Sequence, residues 1–196
     1  MSKDRFVAFF DAVMAIIMTI VVLEFAIPNG TNWSDLGIFV YQILAYAVSF
    51  FWLGGMWINI HELWHDIGVV DGGVLWANIA MLFFSSMIPF FVVYLGRNIN
   101  ATVPELLYGL DVLAVTLLNV LSVELLGRHH DCLKAKLPSY RLTFAVDIFI
   151  KVVGIFVGVT VFPLSILISV FAAMFAMAIM KLIFKSNKKD KGRQGD

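Results

Sequence analysis

The chain has 196 residues, of which 61% are hydrophobic and only 14% are charged, and its formal net charge is zero. Soluble domains are about half apolar and about one quarter charged, so this composition excludes a water-soluble globular protein, and its apolar richness excludes a disordered one. The zero net charge gives no electrostatic reason to expect a nucleic-acid partner. A single cysteine, Cys132, excludes an internal disulfide and a multi-cysteine metal site. The composition therefore predicts an integral membrane protein whose surroundings are the lipid bilayer.

Six stretches of the sequence reach the length of roughly 20 mostly apolar residues that crosses a bilayer. They cover about residues 6–27, 36–60, 72–96, 103–126, 142–160 and 163–184. The last two stretches form one apolar block, which we divide near Gly158–Pro163 because the block is about twice as long as a span and proline suits the start of a helix. We predict an all-α, polytopic fold with a six-span domain over residues 1–184. The basic segment 185–196 is predicted to be a disordered tail.

Basic residues are concentrated on one side of this topology. Twelve of the 14 Lys and Arg residues precede span 1, lie between spans 4 and 5, or lie at the end of span 6 and beyond it. Under the positive-inside rule, this asymmetry places both termini in the cytoplasm of a multi-pass protein of the cell (inner) membrane. Span 1 carries Asp4 and Asp11, and no small-residue cleavage motif follows it. We therefore expect span 1 to be retained rather than removed as a signal peptide.

Span 1 has an apolar stripe on one side and a carboxylate on the other. At 100° per residue, seven residues lie within about 40° of one line along the helix: Arg5, Phe9, Ala12, Ile16, Ile20, Leu23 and Ile27. Thr19 lies beside this stripe, whereas Asp11 points about 140° away from Ile16. Because a carboxylate at membrane depth is costly, the side of span 1 that carries Asp11 should meet other helices. The stripe itself is compatible with lipid contact, with core packing or with function.

Polar side chains gather where span 1 begins and span 2 ends. Trp57 and His61 are four residues apart and share a helix face, and Asn78 lies near the same boundary in span 3. An indole N–H and an imidazole can satisfy the span 1 carboxylate if these helix ends meet. Such groups either hold helices together or act directly in function. In span 5, Asp147 and Lys151 form an (i, i+4) pair of opposite charge, which we interpret as a structural bridge.

A second pattern points to a different function. Residues 61–65 read His-Glu-Leu-Trp-His, a spacing that places two histidines on one helix face for zinc with the glutamate as general base. His61, His65 and Asp71 are the candidate zinc ligands of an intramembrane protease, and Glu62 is its candidate base. Two observations weigh against this alternative: there is no soluble domain to form a substrate cleft, and the motif falls at a helix end.

The start of the chain is similar to a known family. Residues 5–20, RFVAFFDAVMAIIMTI, resemble the signature of the transmembrane protein 175 family of potassium channels, which has the form R-x-x-x-F-S-D followed by a V-x-A-I-x-x-T-like run. Further similarities are the spacing Trp57-x-x-x-His61, then Asn78, Phe83 and Pro89-Phe90 in span 3, and the basic loop before Arg141-Leu142. One departure is Phe10, which stands where the family usually has serine. The arrangement of one six-span unit resembles prokaryotic members.

The resemblance implies a homotetramer in which the first helix of each subunit lines a central pore for potassium ions. It implies no cofactor and no enzymatic activity. Ile16, Ile20 and Leu23 would constrict the pore, with Thr19 as a polar layer. Arg5, Asp11, Trp57, His61 and Asn78 would form a structural polar network that holds span 1 against spans 2 and 3.

The function implied by the resemblance is passive conduction with a preference for potassium. An aliphatic ring supplies no ligands to an ion, and such a ring closes by dewetting. Glu24, about 80° off the stripe, is a candidate for enriching cations at the pore mouth, although a carboxylate at a helix end in water needs no such role. A secondary transporter is disfavoured because the sequence shows no internal repeat and no matching broken helices in two halves.

Overall fold

The computed structural model of the chain describes residues 3–65, 67, 71–98, 100–134 and 136–193, with the side chains of residues 34, 65, 129, 131, 132 and 184–193 outside the description. Within these residues the α-helices are α1 (Lys3–Ile20), α2 (Gly37–His65), α3 (Gly72–Ser85), α4 (Ile88–Arg97), α5 (Thr102–His129), α6 (Asp131–Lys134), α7 (Leu137–Thr160) and α8 (Ser165–Arg193). Six helical segments are long and apolar enough to cross a membrane: Lys3–Glu24, Gly37–Trp64, Gly72–Arg97, Thr102–Arg128, Leu137–Thr160 and Ser165–Ile183. Helices satisfy their own backbone polar groups, as hydrocarbon requires. The predicted all-α fold with six spans is confirmed.

The third span is broken in its middle, between α3 and α4. Pro89 lies in the first turn of α4. Because proline has no N–H and its ring clashes with the carbonyl four residues earlier, the helix cannot run straight through this point. Ser86 closes the end of α3, since its backbone N–H bonds the carbonyl oxygen of Leu82 and its hydroxyl donates to the carbonyl oxygen of Phe83 at 2.7 Å. One apolar stretch therefore forms two helices within a single span.

The first span also changes its geometry before it ends. After Ile20 the chain tightens into a 3-10 helix over Val21–Glu24, and Phe25 is extended, with φ −64° and ψ 135°. A 3-10 helix has three residues per turn, so residues three apart lie directly above each other. A second 3-10 helix, Trp33–Leu36, leads into α2.

The first helix lies at one side of the helix bundle. Its contacts are chiefly with α2, α3 and α4. The central helix is α5, which packs against α3, α4, α7 and α8, and the most extensive packing in the subunit is between α7 and α8. Helices α7 and α8 therefore lie on the opposite side of α5 from α1.

Small residues bring α7 and α8 close together. Gly154 and Gly158 are four residues apart on α7, the small-xxx-small spacing that lets membrane helices approach closely. A Cβ atom added at Gly154 would lie 2.1 Å from Ser169 Oγ, and one added at Gly158 would lie 2.4 Å from Ile166 Cγ1. No larger side chain fits at either position without a shift of the neighbouring helix.

A buried ion pair joins α7 to two other helices. Lys151 Nζ lies 2.7 Å from Asp147 Oδ2, and the two side chains are only 2% and 1% exposed. The same ammonium donates to Thr116 Oγ1 on α5 at 2.7 Å and lies 5.0 Å from the ring centroid of Trp52 on α2. The predicted (i, i+4) bridge is thus also a three-helix contact in the core.

The C-terminal segment differs from the expectation of disorder in its described part. The backbone of residues 185–193 continues α8 as a helix, and residues 194–196 lie outside the described residues. Extending an existing helix avoids the unfavourable nucleation step, and lysine is a good helix former. A charged segment directly after an apolar helix can therefore extend that helix.

Candidate functional site

The two faces of the first span differ in exposure. One face is at most 4% exposed and packs inside the subunit: Phe6, Phe10, Met14, Ile17 and Val21. On the other face, Ile16 is 61% exposed, Ile20 is 44% exposed and Leu23 is 82% exposed. We call these last three residues the aliphatic face. It lies on the outside of the single subunit, where its surroundings are lipid, water or another copy of the chain.

The 3-10 turn changes which residues lie on the aliphatic face. A regular α-helix would place Leu23 about 60° from Ile20, whereas three residues of 3-10 helix place it directly above Ile20. The same turn rotates Glu24 to about 160° from Ile16, in place of the 80° expected from the sequence. In the structure Glu24 nevertheless lines the same groove as Ile16 and Ile20, a space of about 420 Å³ between span 1 and α4. The role of Glu24 at a pore mouth stays a prediction.

Thr19 is exposed beside the aliphatic face. Its hydroxyl lies 2.8 Å from the carbonyl oxygen of Ala15 and 3.3 Å from that of Ile16, and donates to its own helix. Since the hydroxyl proton is used in this way, the lone pairs of the oxygen point away from the helix backbone. Thr19 therefore offers an acceptor oxygen, the kind of ligand that a cation needs.

The structure brings Asp11, Trp57 and His61 together where the first half of α1 meets the last part of α2. The indole Nε1 of Trp57 donates to Asp11 Oδ1 at 2.7 Å. The His61 ring stacks on Trp57 with 5.4 Å between ring centroids. The carboxylate of span 1 thus has a donor from the neighbouring helix, which ties α1 to α2.

Two other members of the predicted network lie elsewhere. Asn78 is fully buried, and its Nδ2 donates to Ser122 Oγ on α5 and to the carbonyl oxygen of Val74, both at 2.8 Å. Asn78 therefore joins α3 to α5. Arg5 is exposed. Lys3, near Arg5, instead donates to the carbonyl oxygen of Ile67.

Sequence reasoning missed one polar contact of the first span. Gln42 of α2 is fully buried, and its Oε1 accepts a hydrogen bond from the backbone N–H of Ala26 at 3.1 Å. Ala26 follows the 3-10 turn that carries Leu23. A glutamine inside an apolar helix is the signal that could have directed attention to this position, because polar groups at membrane depth seek partners.

The sequence is similar to potassium channels over its N-terminal part. Residues 5–89 match the sequence profile of a family described as endosomal/lysosomal potassium channel TMEM175. A potassium channel of Chryseobacterium sp. (strain P1-3) is 39% identical over 113 residues, which is 58% of this chain. A potassium channel of Streptomyces collinus (strain DSM 40733 / Tue 365) is 30% identical over 124 residues, or 59% of this chain.

The fold agrees with these matches. The crystal structure of a lysosomal potassium-selective channel TMEM175 homologue from Chamaesiphon minutus superposes with a TM-score of 0.69 at 21% identity, covering 90% of this chain and 96% of that one. Residues 5–89 are thus similar to the TMEM175 family, and the chain shares the fold of a TMEM175 homologue. The alignments span 59% and 60% of the lengths of the two bacterial relatives.

The similarity to the TMEM175 family bears on the zinc alternative. The family and the two relatives are described as potassium channels, which are not enzymes, so the comparisons give the protease hypothesis no support.

Among the described residues there is no group of three or more His, Cys, Asp or Glu that could hold a metal ion. The His65 side chain lies outside the described part. Asp71 caps α3, since its Oδ2 accepts from the backbone N–H of Gly73 at 3.2 Å. Glu62 pairs with Lys181 of α8 at 2.7 Å.

Phe10 is the departure from the TMEM175 pattern, and the structure shows what replaces the hydroxyl group. The Phe10 side chain is 1% exposed, and its ring centroid lies 5.2 Å from that of Trp64 and 6.5 Å from that of Phe6. An aromatic cluster therefore occupies this position, and it fixes α1 against the end of α2 by packing.

Proposed function

We propose that this chain is the subunit of a potassium-selective channel, a homotetramer whose pore is lined by the first span of each copy. The observation that carries this proposal is the aliphatic face. Ile16, Ile20 and Leu23 are exposed on a helix at the side of the subunit, while the opposite face of that helix is held in the core. The potassium channels named among the relatives support the choice of ion.

The aliphatic face suits a pore better than a lipid surface alone. Thr19 lies among its residues, and Arg5 continues the same line toward the N-terminus. A hydroxyl oxygen and a guanidinium gain little from hydrocarbon but are well placed along a water-filled path. Copies arranged around one axis would cover the apolar side chains and leave these polar groups facing the axis.

Selectivity in such a pore follows from hydration. Rings of Ile16, Ile20 and Leu23 supply no ligands, so an ion crosses them with much of its water retained or with help from the Thr19 oxygens. Potassium gives up water more readily than sodium does, and a narrow apolar neck therefore favours potassium. The same neck closes by dewetting when it narrows, which provides a gate without a moving lid.

The orientation of this channel in the membrane follows from the distribution of its basic residues. The chain is a multi-pass membrane protein. We place it in the cell membrane with both termini in the cytoplasm, because twelve of the 14 basic residues then lie on the cytoplasmic side. Its partners are other copies of itself, the lipid bilayer and potassium ions, and we propose no cofactor.

The test is potassium flux through the purified protein in liposomes under a potassium gradient. Replacing Ile20 or Leu23 by alanine widens the neck, and we expect flux to rise about tenfold, as a barrier lower by about 1.4 kcal/mol would produce. Ile168→Ala on α8 is the matched control, because Ile168 is a similarly exposed isoleucine, at 53%, on the other side of the subunit. The control should leave flux unchanged.

Two results would contradict the proposal in different ways. A wild-type protein that passes no potassium would refute the channel function. A conducting wild type whose Ile20→Ala and Leu23→Ala variants match it in flux and in potassium preference would refute the assignment of the pore to the first span. Native mass spectrometry of the same samples tests the homotetramer.

A further inference from the structure

Gln42 is a buried amide with a long-range partner at the end of the first span. It lies in the second turn of α2 and is 0% exposed. Its Oε1 accepts from the backbone N–H of Ala26, 3.1 Å away, and within the described part of the chain its Nε2 has no hydrogen-bond partner. Burying an amide is costly, so the hydrogen bond that Oε1 accepts is the contact through which this side chain can stabilise the fold.

The backbone of Ala26 needs this acceptor. The helical hydrogen bonds of span 1 end with the 3-10 turn Val21–Glu24, and Phe25 is extended. The N–H of Ala26 is partly buried beside α2 and lies beyond the helical hydrogen bonds of span 1, and an unpaired N–H away from water is unfavourable. Gln42 supplies the missing acceptor from the neighbouring helix.

Aromatic packing also holds the extended segment, and Gly96 leaves room for the Gln42 side chain. The Phe25 ring packs edge-on against Phe39 and Tyr46 of α2, with centroid distances of 6.4 Å and 5.7 Å. On the other side, a Cβ atom added at Gly96 of α4 would lie 2.1 Å from Gln42 Cγ. The absence of a side chain at Gly96 therefore makes the room that the Gln42 side chain occupies.

We propose that Gln42 is a positioning residue for the pore. Its oxygen holds the extended segment that begins two residues after Leu23, and it thereby sets the angle and the height at which Leu23 stands above Ile20. This inference rests on the proposed channel function and deepens it. Gln42 does not touch the ion, and it acts on potassium preference through Leu23.

The test compares two variants of Gln42 in the liposome assay. Gln42→Met keeps an unbranched side chain of similar length but removes the oxygen. We expect the ratio of potassium to sodium flux to fall, because losing one neutral hydrogen bond shifts the balance between the fixed and the free positions of the Ala26 segment by about fivefold. Gln42→Glu keeps an acceptor oxygen, and because burial favours the neutral, protonated carboxyl at this position, it should retain the wild-type ratio within about twofold.

Ser49→Ala is the control for a general loss of polar contacts in α2. Ser49 is buried two turns further along α2, where the hydrogen bonds described for its hydroxyl are with Tyr108 Oη on α5 and the carbonyl oxygen of Ala45, both at 2.9 Å. Its removal should lower stability and leave the flux ratio unchanged. An unchanged ratio in assembled Gln42→Met protein would overturn the proposal, as would an equal fall in Ser49→Ala.

Two measurements keep the proposal testable if Gln42→Met does not assemble. Gly96→Ala fills the space used by Gln42 and should lower the flux ratio in the same direction. In the wild type, hydrogen exchange of the Ala26 amide should be much slower than that of Asn29 in the exposed turn that follows. An Ala26 amide that exchanges as fast as Asn29 would refute the hydrogen bond on which the proposal rests. Absence of wild-type potassium flux, by contrast, would refute the channel function.

Discussion

The first span and α7 are attached to the rest of the subunit in opposite ways. The inter-helix hydrogen bonds described for the first span lie at Asp11, in the N-terminal half of α1, and at Ala26, just past the 3-10 turn, and between them the helix packs through apolar side chains. Helix α7 is fixed in its middle, by the Asp147–Lys151 pair and by the close approach at Gly154. The part of α1 that carries Ile16 and Ile20 is therefore held by apolar packing, whereas the middle of α7 has a buried ion pair and a close helix contact. This difference makes the first span the candidate pore-lining helix and α7 a part of the supporting scaffold.

Breaking the buried ion pair should have the largest effect on stability. Lys151→Met leaves Asp147 as an uncompensated charge in the core, and removing one partner of a buried pair costs about 3–5 kcal/mol. We expect a large loss of folded, monodisperse protein in detergent, measured by the midpoint of thermal unfolding.

The control for this prediction removes both charges. Because a buried pair contributes little compared with apolar residues of similar volume, the double variant Asp147→Leu with Lys151→Met should recover most of the lost stability. A double variant that is as unstable as Lys151→Met alone would mean that the contacts with Thr116 and Trp52, rather than the pairing of charges, hold α7 in place.

Closing the space between α7 and α8 should have a smaller effect. Gly154→Ala places a Cβ atom 2.1 Å from Ser169 Oγ and 2.2 Å from Ser169 Cβ, so one helix must move. Overpacking of this kind costs about 1–3 kcal/mol, which exceeds the gain of about 1 kcal/mol in helix propensity.

Gly55→Ala on α2 provides the matched control, because an added Cβ there meets nothing within 4 Å. It should leave the unfolding midpoint unchanged or raise it, since only the gain in helix propensity remains. Equal effects of the two substitutions would show that α7 and α8 are not held by close packing at Gly154.

The sequence predicts contacts within a helix much better than contacts between helices. The Asp147–Lys151 pair follows from a spacing of four residues, and the opposite faces of span 1 follow from 100° per residue. The partners Thr116 and Trp52 could not be foreseen, because they depend on which helices become neighbours. The six spans were predictable for the same reason, since each depends only on its own apolar residues.

In the candidate site, too, contacts between helices are harder to predict from the sequence than contacts within a helix. The contact between Asp11 and Trp57 is predictable because topology brings the N-terminal half of span 1 to the end of span 2. Asn78 lies at a similar depth in the membrane, but it donates to Ser122 on α5 instead. The 3-10 turn that aligns Leu23 with Ile20 has no clear local signal in a run of aliphatic residues. Its position depends on the tertiary contacts that follow it.

Loosening an end of the first span should have the smallest effect of the three on stability. Trp57→Phe removes the N–H that donates to Asp11 but keeps a ring that can stack on His61. A hydrogen bond to a charged group contributes about 1.5–3 kcal/mol, and the partial exposure of both side chains reduces this to about 1 kcal/mol. The measurement is a double-mutant cycle with Asp11→Leu, which removes the acceptor oxygens, read from unfolding midpoints.

Trp64→Phe is the control for this cycle. It is the same substitution on the same helix, but within the described residues the buried Nε1 of Trp64 has no hydrogen-bond partner. Its cost should come from lost volume and should add to that of Asp11→Leu, whereas Trp57→Phe and Asp11→Leu should be less than additive because each removes the same hydrogen bond. Additivity in both cycles would leave α1 attached at this end by aromatic packing alone. The end of the first span would then be held in the same way as its middle, and the contrast with α7 would have to rest on Ala26 and Gln42.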